Sequence, residues 1–349
     1  MNLLSWLQTT PEYPKIYWKE RSSSRAFAAV GLGSPTSEAY GWRLFKPTKA
    51  PHWADFPSQF FFSPKISKEA NTSEFLKWEK PAIKRLVFTP EKEEWTSLVE
   101  QTLAAIHKKK LDKLVLAREC LMDLEEPVNP WPLVSALEQR AVNAYVFCIQ
   151  PTKRSAFLGA SPEQLFLRTN KTQLFTEALA GTRPLGEKEA FDLLHHPKDL
   201  KEFSFVEKSI RKALSPLTKS PLQFSNISIR KTSCVQHLSS QLNIDLDPSI
   251  TDFTLLDRLH PTAALLGFPK RKAMELLQKL EPFERGLYGA PIGRIHGTAS
   301  EWIVGIRSCL LFESTARLYS GLGIVEGSHP ESEWNELNSK LKLFQGLFL

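Results

Sequence analysis

The sequence predicts a single continuous domain that mixes β-strands with α-helices. Apolar runs of strand length, bounded by turn residues, recur along the chain, and segments with helical spacing of apolar residues stand between them. Hydrophobic residues make up 42% of the 349 and charged residues 24%, an ordinary globular composition that excludes a disordered or fibrous class. No short-period repeat or low-complexity linker divides the chain, although its length would allow two domains.

Residues 1–90 read as mostly β, with 13–31 and 54–66 rich in aromatics and proline and forming short strands joined by turns. We take this as a more variable β part in front of a core over 91–349, all within one domain. Thr89 followed by Pro90 predicts a helix start, after which Trp95, Leu98, Val99, Leu103 and Ile106 share a face. The stretch LDKLVLARE (111–119) predicts a buried strand with Lys113 at its mouth. Side chains alternate along a strand, so Lys113, Val115 and Ala117 point the same way, and a solvated strand end is the plain reading for the lysine. A helix follows near 132–141, then strands at 144–149, 157–168 and 173–184. The spacing of Phe203, Val206, Ile210 and Leu214 predicts a helix over 197–214, with Glu202 bordering its apolar stripe. A helix before Glu281, strands at 301–312 and 316–327, and a last helix after Ser328 complete the pattern.

The formal charge of +7 suits nucleic acid, a membrane surface or a small anionic substrate. The basic residues are scattered, and the densest run, His107 to Lys110, reads as a solvated helix end; no zinc-finger spacing and no aromatic-basic RNA-binding motif occurs, so nucleic acid is not an expected partner. Cys120, Cys148, Cys234 and Cys309 lie far apart and imply neither a metal site nor a disulfide framework. The opening MNLLSWL is too short for a signal-peptide core and no apolar run approaches eighteen residues, so neither membrane nor export is expected and the location is cytoplasmic.

Several residues carry two readings. Glu333, Glu336 and Lys340 share a helix face, either as a solvated Glu–Lys array or as part of a site for a hard cation such as magnesium. Gly321 and Gly323 either mark a bend or offer backbone N–H groups to an anion. Glu163, after Ser161-Pro162, is a turn acid or, if burial raises its pKa, a general acid. Arg307 interrupts an apolar strand as a rim residue or a carboxylate clamp. His260 reads as a satisfied loop residue, and His195 and His196 as structural.

Taken in order, KLVLAR, LGASPE, LAGTRP, KDLKE, LHPT, ERGLYGAPIG, IRSCLL and GLGIVEGSHPESEWNEL resemble the chorismate-utilising enzymes, strongly from Lys113 to Lys340. The resemblance implies an α+β domain of two packed antiparallel sheets with helices on the outside and a magnesium-dependent site in the cleft between them. It assigns the metal to Glu202 and Glu336 with Glu333 beside them, the general acid to Glu163, and the base that activates water to Lys113. It assigns substrate contacts to Ala180, Gly181, Thr182, His260, Tyr288, Arg307, Gly321, Gly323 and Lys340. A base lysine must be neutral, so its pKa must fall from about 10.4.

Within the family, Lys113 argues for water over ammonia, hence no glutamine amidotransferase subunit, and Ala180 argues against a covalent lysine nucleophile. The branch that remains isomerises chorismate to isochorismate, and YGAPIG leans to its menaquinone-type members. A salicylate-forming enzyme is the alternative, and from another class a degenerate anion-binding protein; the expected assembly is a monomer or weak homo-oligomer. Ala263, Phe203 and Arg294 depart from the family pattern in the loop and around the site.

Overall fold

The computed structural model describes residues 2–21, 23–72, 75–218 and 220–349. Helix α1 (Leu3–Thr9) leads into β1 (Lys15–Lys19), β2 (Arg25–Leu32), β3 (Glu38–Arg43), β4 (Gln59–Phe62), β5 (Pro64–Asn71) and β6 (Ile83–Thr89). The first long helix, α2 (Lys92–His107), begins two residues later than Thr89-Pro90 suggested: Thr89 ends β6, and Glu91 takes the cap position. Its buried face is the predicted one, through Trp95, Leu98, Val99 and Ile106. Then come β7 (Lys113–Leu124), α3 (Pro130–Arg140), β8 (Tyr145–Thr152), β9 (Ser155–Ser161), β10 (Gln164–Arg168) and β11 (Gln173–Pro184). Two helices, α4 (Glu187–His195) and α5 (Pro197–Leu214), precede β12 (Ser228–Lys231) and β13 (Val235–Asp245). The last third holds α6 (Asp252–Leu259), β14 (Gly267–Phe268), α7 (Lys270–Leu280), β15 (Pro291–His296), β16 (Ala299–Val304), β17 (Ser308–Phe312), β18 (Thr315–Val325) and α8 (Pro330–Phe348).

The strands form two antiparallel sheets. A ten-stranded sheet runs β14-β7-β18-β17-β9-β8-β1-β2-β5, with β6 also on β7, and an eight-stranded sheet runs β12-β13-β11-β10-β16-β15-β3-β4. The N-terminal strands extend both sheets, with β1, β2 and β5 in the first and β3 and β4 in the second. Between the sheets lies an aromatic layer that includes Trp18, Trp42, Trp53, Phe147, Phe157 and Tyr319. A second core packs the outer face of the larger sheet, through Cys120, Met122, Cys148 and Leu158, against α1, α3 and α8. A third joins α2, α5, α6 and α7 to both sheets. This is the α+β arrangement of two packed sheets with outer helices.

The runs 157–168 and 301–312 are not single strands. Each changes sheet midway: β9 pairs with β17 in the larger sheet, while β10 pairs with β16 in the smaller. The chain crosses at Pro162-Glu163 in one run and at Gly305-Ile306-Arg307 in the other. Proline has no N–H for a ladder, which favours the break at 162. Apolar periodicity is blind to the crossing because both halves are buried.

At this crossing Gly159 lies opposite Ser308, and a Cβ there would come within 2.8 Å of the Arg307 carbonyl oxygen and of the Phe147 ring. Gly159→Ala should therefore cost about 1–3 kcal/mol of stability by overpacking. The urea midpoint measures it, and an unchanged midpoint would mean that the strands have room to part.

Candidate active site

The crossing presents Glu163. The Ser161 hydroxyl donates to the Val304 carbonyl at 2.6 Å, the Glu163 N–H donates to the Ser161 Oγ at 3.3 Å, and the Val304 N–H donates to the Glu163 carbonyl at 3.1 Å. The side chain is buried, with Oε1 3.5 Å from the Thr262 hydroxyl. Burial, reinforced by the negative charge of Glu177, pushes its pKa up to about 8. Glu163 is thus a neutral acid at neutral pH.

Arg307 belongs to the second crossing segment and not to a strand, and it adopts a left-handed backbone with φ of 50°. That conformation costs an L-residue about 1–2 kcal/mol. Its carbonyl accepts from the Ala160 N–H at 3.0 Å, and its Nη1 donates to the Lys340 carbonyl at 3.2 Å.

Lys113 is not a solvated strand end. Its side chain is fully buried, and Nζ lies 3.0 Å from Glu202 Oε1 on α5. β18 runs antiparallel beside β7 with Gly323 opposite Val115 and Gly321 opposite Ala117. The two glycines make space: a Cβ at Gly323 would collide with Lys113 Cε and Glu202 Oε1, and one at Gly321 would lie 2.6 Å from the Tyr288 hydroxyl.

Of the acidic groups, Glu333 is buried, while Glu202 and Glu336 are partly exposed. Glu333 is 1% exposed and pairs with Lys198, Glu336 pairs with Lys340 at 2.7 Å, and Glu202 pairs with Lys113. Glu333 therefore departs from the surface-array reading, whereas Glu336 and Lys340 form an i,i+4 bridge at a partly exposed position. Burial raises the Glu202 pKa, but Lys113 and Lys198 together hold it below the ordinary carboxylate value. Glu333 rises to about 7 through burial and repulsion from Glu336, against the pull of Lys198. Among the described residues no three His, Cys, Asp or Glu side chains stand close enough to hold a metal as they are. The donors are nevertheless all carboxylate oxygens, as a hard cation requires. The single ammonium of Lys198 feels Glu333, Glu202 and Glu336 together, so positive charge is already drawn to that point. The set fits a divalent cation.

One cavity collects these groups. Lys113, Glu163, Ala180, Gly181, Thr182, Glu202, Tyr288, Arg307, Gly321, Gly323 and Lys340 all line it. Glu333 and Glu336 line an adjoining cleft that shares Thr182. His260 does not line either: it is buried, with Nε2 3.0 Å from the Gly289 carbonyl and its ring edge-on to Phe45, so its expected substrate contact is replaced by a structural bond. The departures lie off the cavity. Phe203 and Ala263 are core residues, and Arg294 stacks on Phe27 at 3.5 Å and pairs with Glu38.

His237 on β13 was missed. Its Nδ1 lies 3.0 Å from the Gly181 carbonyl and 3.1 Å from the Thr182 hydroxyl. Burial and the nearby Arg307 hold the ring well below its usual pKa, the residue lines the cavity, and its buried Nε2 has no protein partner among the described residues. The only sequence signal was a histidine in the polar register of a strand whose other register carries Leu238, Leu242 and Ile244, which is weak by itself.

The comparisons agree with this architecture. The model of the family described as chorismate binding enzyme matches residues 64–348. Isochorismate synthase MenF of Haemophilus influenzae is 30% identical over 386 residues, covering 100% of this chain and 89% of that protein. The chloroplastic isochorismate synthase 2 of Arabidopsis thaliana is 41% identical over 241 residues, which is 67% of this chain and 43% of the plant protein; the match thus spans less than half of that relative. The solved structure of MenF, the menaquinone-specific isochorismate synthase of Escherichia coli, superposes with a TM-score of 0.89 at 26% identity over 100% of this chain and 92% of that one. A chain whose two sheets exchange strands around a cavity of this composition, and which the family model matches over residues 64–348, belongs to the chorismate binding enzymes.

Proposed function

We propose that the protein is an isochorismate synthase of the menaquinone type, converting chorismate to isochorismate. The observation that carries this is a buried lysine and a protonated carboxylic acid lining one cavity. Lys113 serves as the base: it has to give up the charge it shares with Glu202 before it takes a proton from water as the water oxygen bonds to C2. Both ring double bonds shift, and Glu163 protonates the C4 hydroxyl, which leaves as water. Arg307, Lys340 and the Gly321–Gly323 backbone receive the enolpyruvyl carboxylate. Glu202, Glu333 and Glu336 would hold magnesium, which would offset their charge and that of an anionic substrate. Relatives of the same description support this reading.

A cytoplasmic monomer or weak homo-oligomer without an amidotransferase subunit completes the proposal. Four free cysteines suit a reducing compartment, and among the described residues no helix is long and apolar enough to cross a membrane.

Lys113→Gln should abolish isochorismate formation in an isochorismatase-coupled assay while chorismate still binds. Full activity would make the lysine structural, and salicylate as the wild-type product would overturn the assignment.

Glu163→Gln should lose about 100- to 10,000-fold in turnover, the usual worth of general acid catalysis. The acid works only when protonated, and its pKa is about 8, so the wild-type rate should fall as pH rises through that value. The residual rate of the mutant should lack this limb; a mutant that keeps it places the acid elsewhere.

Magnesium dependence is expected, with Glu202→Gln and Glu336→Gln crippling turnover in folded protein. Undiminished activity in excess chelator would exclude the cation.

A further inference from the structure

Beside Glu163 sits a second charged cluster that the reaction does not use. Glu177 on β11 has a side chain 2% exposed, held by Arg21 at 2.8 Å and Arg230 at 2.6 Å. The same groups reach the crossing peptide on both sides of the acid. Arg21 Nη1 donates to the Pro162 carbonyl at 3.0 Å, and the Gln164 N–H donates to Glu177 Oε1 at 3.1 Å. Arg21 Nη2 lies 3.5 Å from Gln164 Oε1, and the guanidinium rests over the Tyr145 ring at 5.3 Å.

We propose that Arg21 and Glu177 form a clamp that fixes the Pro162-Glu163-Gln164 crossing and so aims the Glu163 carboxyl at the substrate, which makes both of them positioning residues for proton delivery. The proposal rests on the isochorismate synthase reading for its kinetics but not for its geometry. A backbone that changes sheet at residue 162 leaves its own ladders there, so the carbonyl before the acid and the N–H after it need partners from elsewhere. The clamp supplies both. Its two arginines keep Glu177 anionic despite burial, and that fixed charge adds to the burial that keeps Glu163 protonated. Arg21 follows β1, so the N-terminal part contributes to the site without lining the cavity.

The test uses full-length Arg21→Ala and Arg21→Lys, since Arg21 is the more exposed partner, at 17%, and the safer to replace. With chorismate and magnesium, Arg21→Ala should lose about 10- to 100-fold in kcat with KM little changed, the scale expected of a misplaced catalytic group. Guanidinium ion should restore part of the rate, and Arg21→Lys, which keeps the charge but not the planar fork that spans both acceptors, should fall between. In a Glu163→Gln background, Arg21→Ala should cost nothing further, because the two residues act as a unit. An added loss in that background, or no loss in the single variants, overturns the proposal. Crystals of Arg21→Ala, or of Arg21→Lys should the alanine variant not fold, provide a readout independent of activity: the Glu163 carboxyl should move by about 1 Å or more, and an unmoved carboxyl overturns the clamp. A wild-type protein that makes no isochorismate would refute the functional reading instead, and the crystals would still judge the clamp.

Discussion

Charge balance across the cavity and its adjoining cleft is the constraint on which this structure turns. Lys113, Glu202, Lys198, Glu333, Glu336 and Lys340 are drawn from β7, α5 and α8, and each carboxylate faces an ammonium. An isolated buried charge is costly enough that it would shift its protonation or open the fold. Pairing removes most of that cost, and it obliges a strand and two helices to approach one another at fixed points. Glu163 follows the other route: having no cation in contact, it takes up a proton.

The packing that permits this approach is specific. Arg118, on the opposite face of β7 from Lys113, lies between the rings of Phe88 and Trp334 at 4.0 and 3.9 Å and donates to Asn338 at 2.8 Å. The guanidinium thereby pins α8 at Trp334, between Glu333 and Glu336, and at Asn338. A Lys at position 118 could not stack its planar face on two rings while bonding a third partner. The outer helices accordingly do more than cover apolar strands, since α5 and α8 deliver the acidic half of the site.

Much of this was legible in the sequence because it rests on local pattern. The α2 face through Trp95 and Ile106, the extent of α5, and β11 and β18 follow from periodicity alone. The ordered motifs located the cavity, and Lys113, Glu163, Glu202, Arg307 and Lys340 do meet in it. What periodicity could not show was where a buried run changes partner. The breaks at Pro162 and at Gly305–Arg307 look like continuous apolar strands, since neighbouring sheets are equally apolar. Burial of Glu333 and Lys113 was illegible for a related reason: a charge at helical or strand spacing has the same pattern whether water or an opposite charge lies beyond it. The places of His260 and His237 were illegible on the same account. Both rings meet a backbone carbonyl, and which of them also borders the cavity depends on segments far apart in sequence, β13 and β11 for His237 and the turn at Gly289 for His260.

The bare strand at Gly321 and Gly323 has a consequence for how such a site can diversify. A floor made of main chain has no side chain to exchange, so mutation cannot redecorate it; enlarging either residue removes the room that Lys113 or Tyr288 occupies. New selectivity has to come from the walls, where Leu179, Ala180, Ala264, Leu265 and Ile306 offer replaceable atoms. The main-chain part of the cavity is thereby shielded from drift, while its side-chain walls stay open to selection.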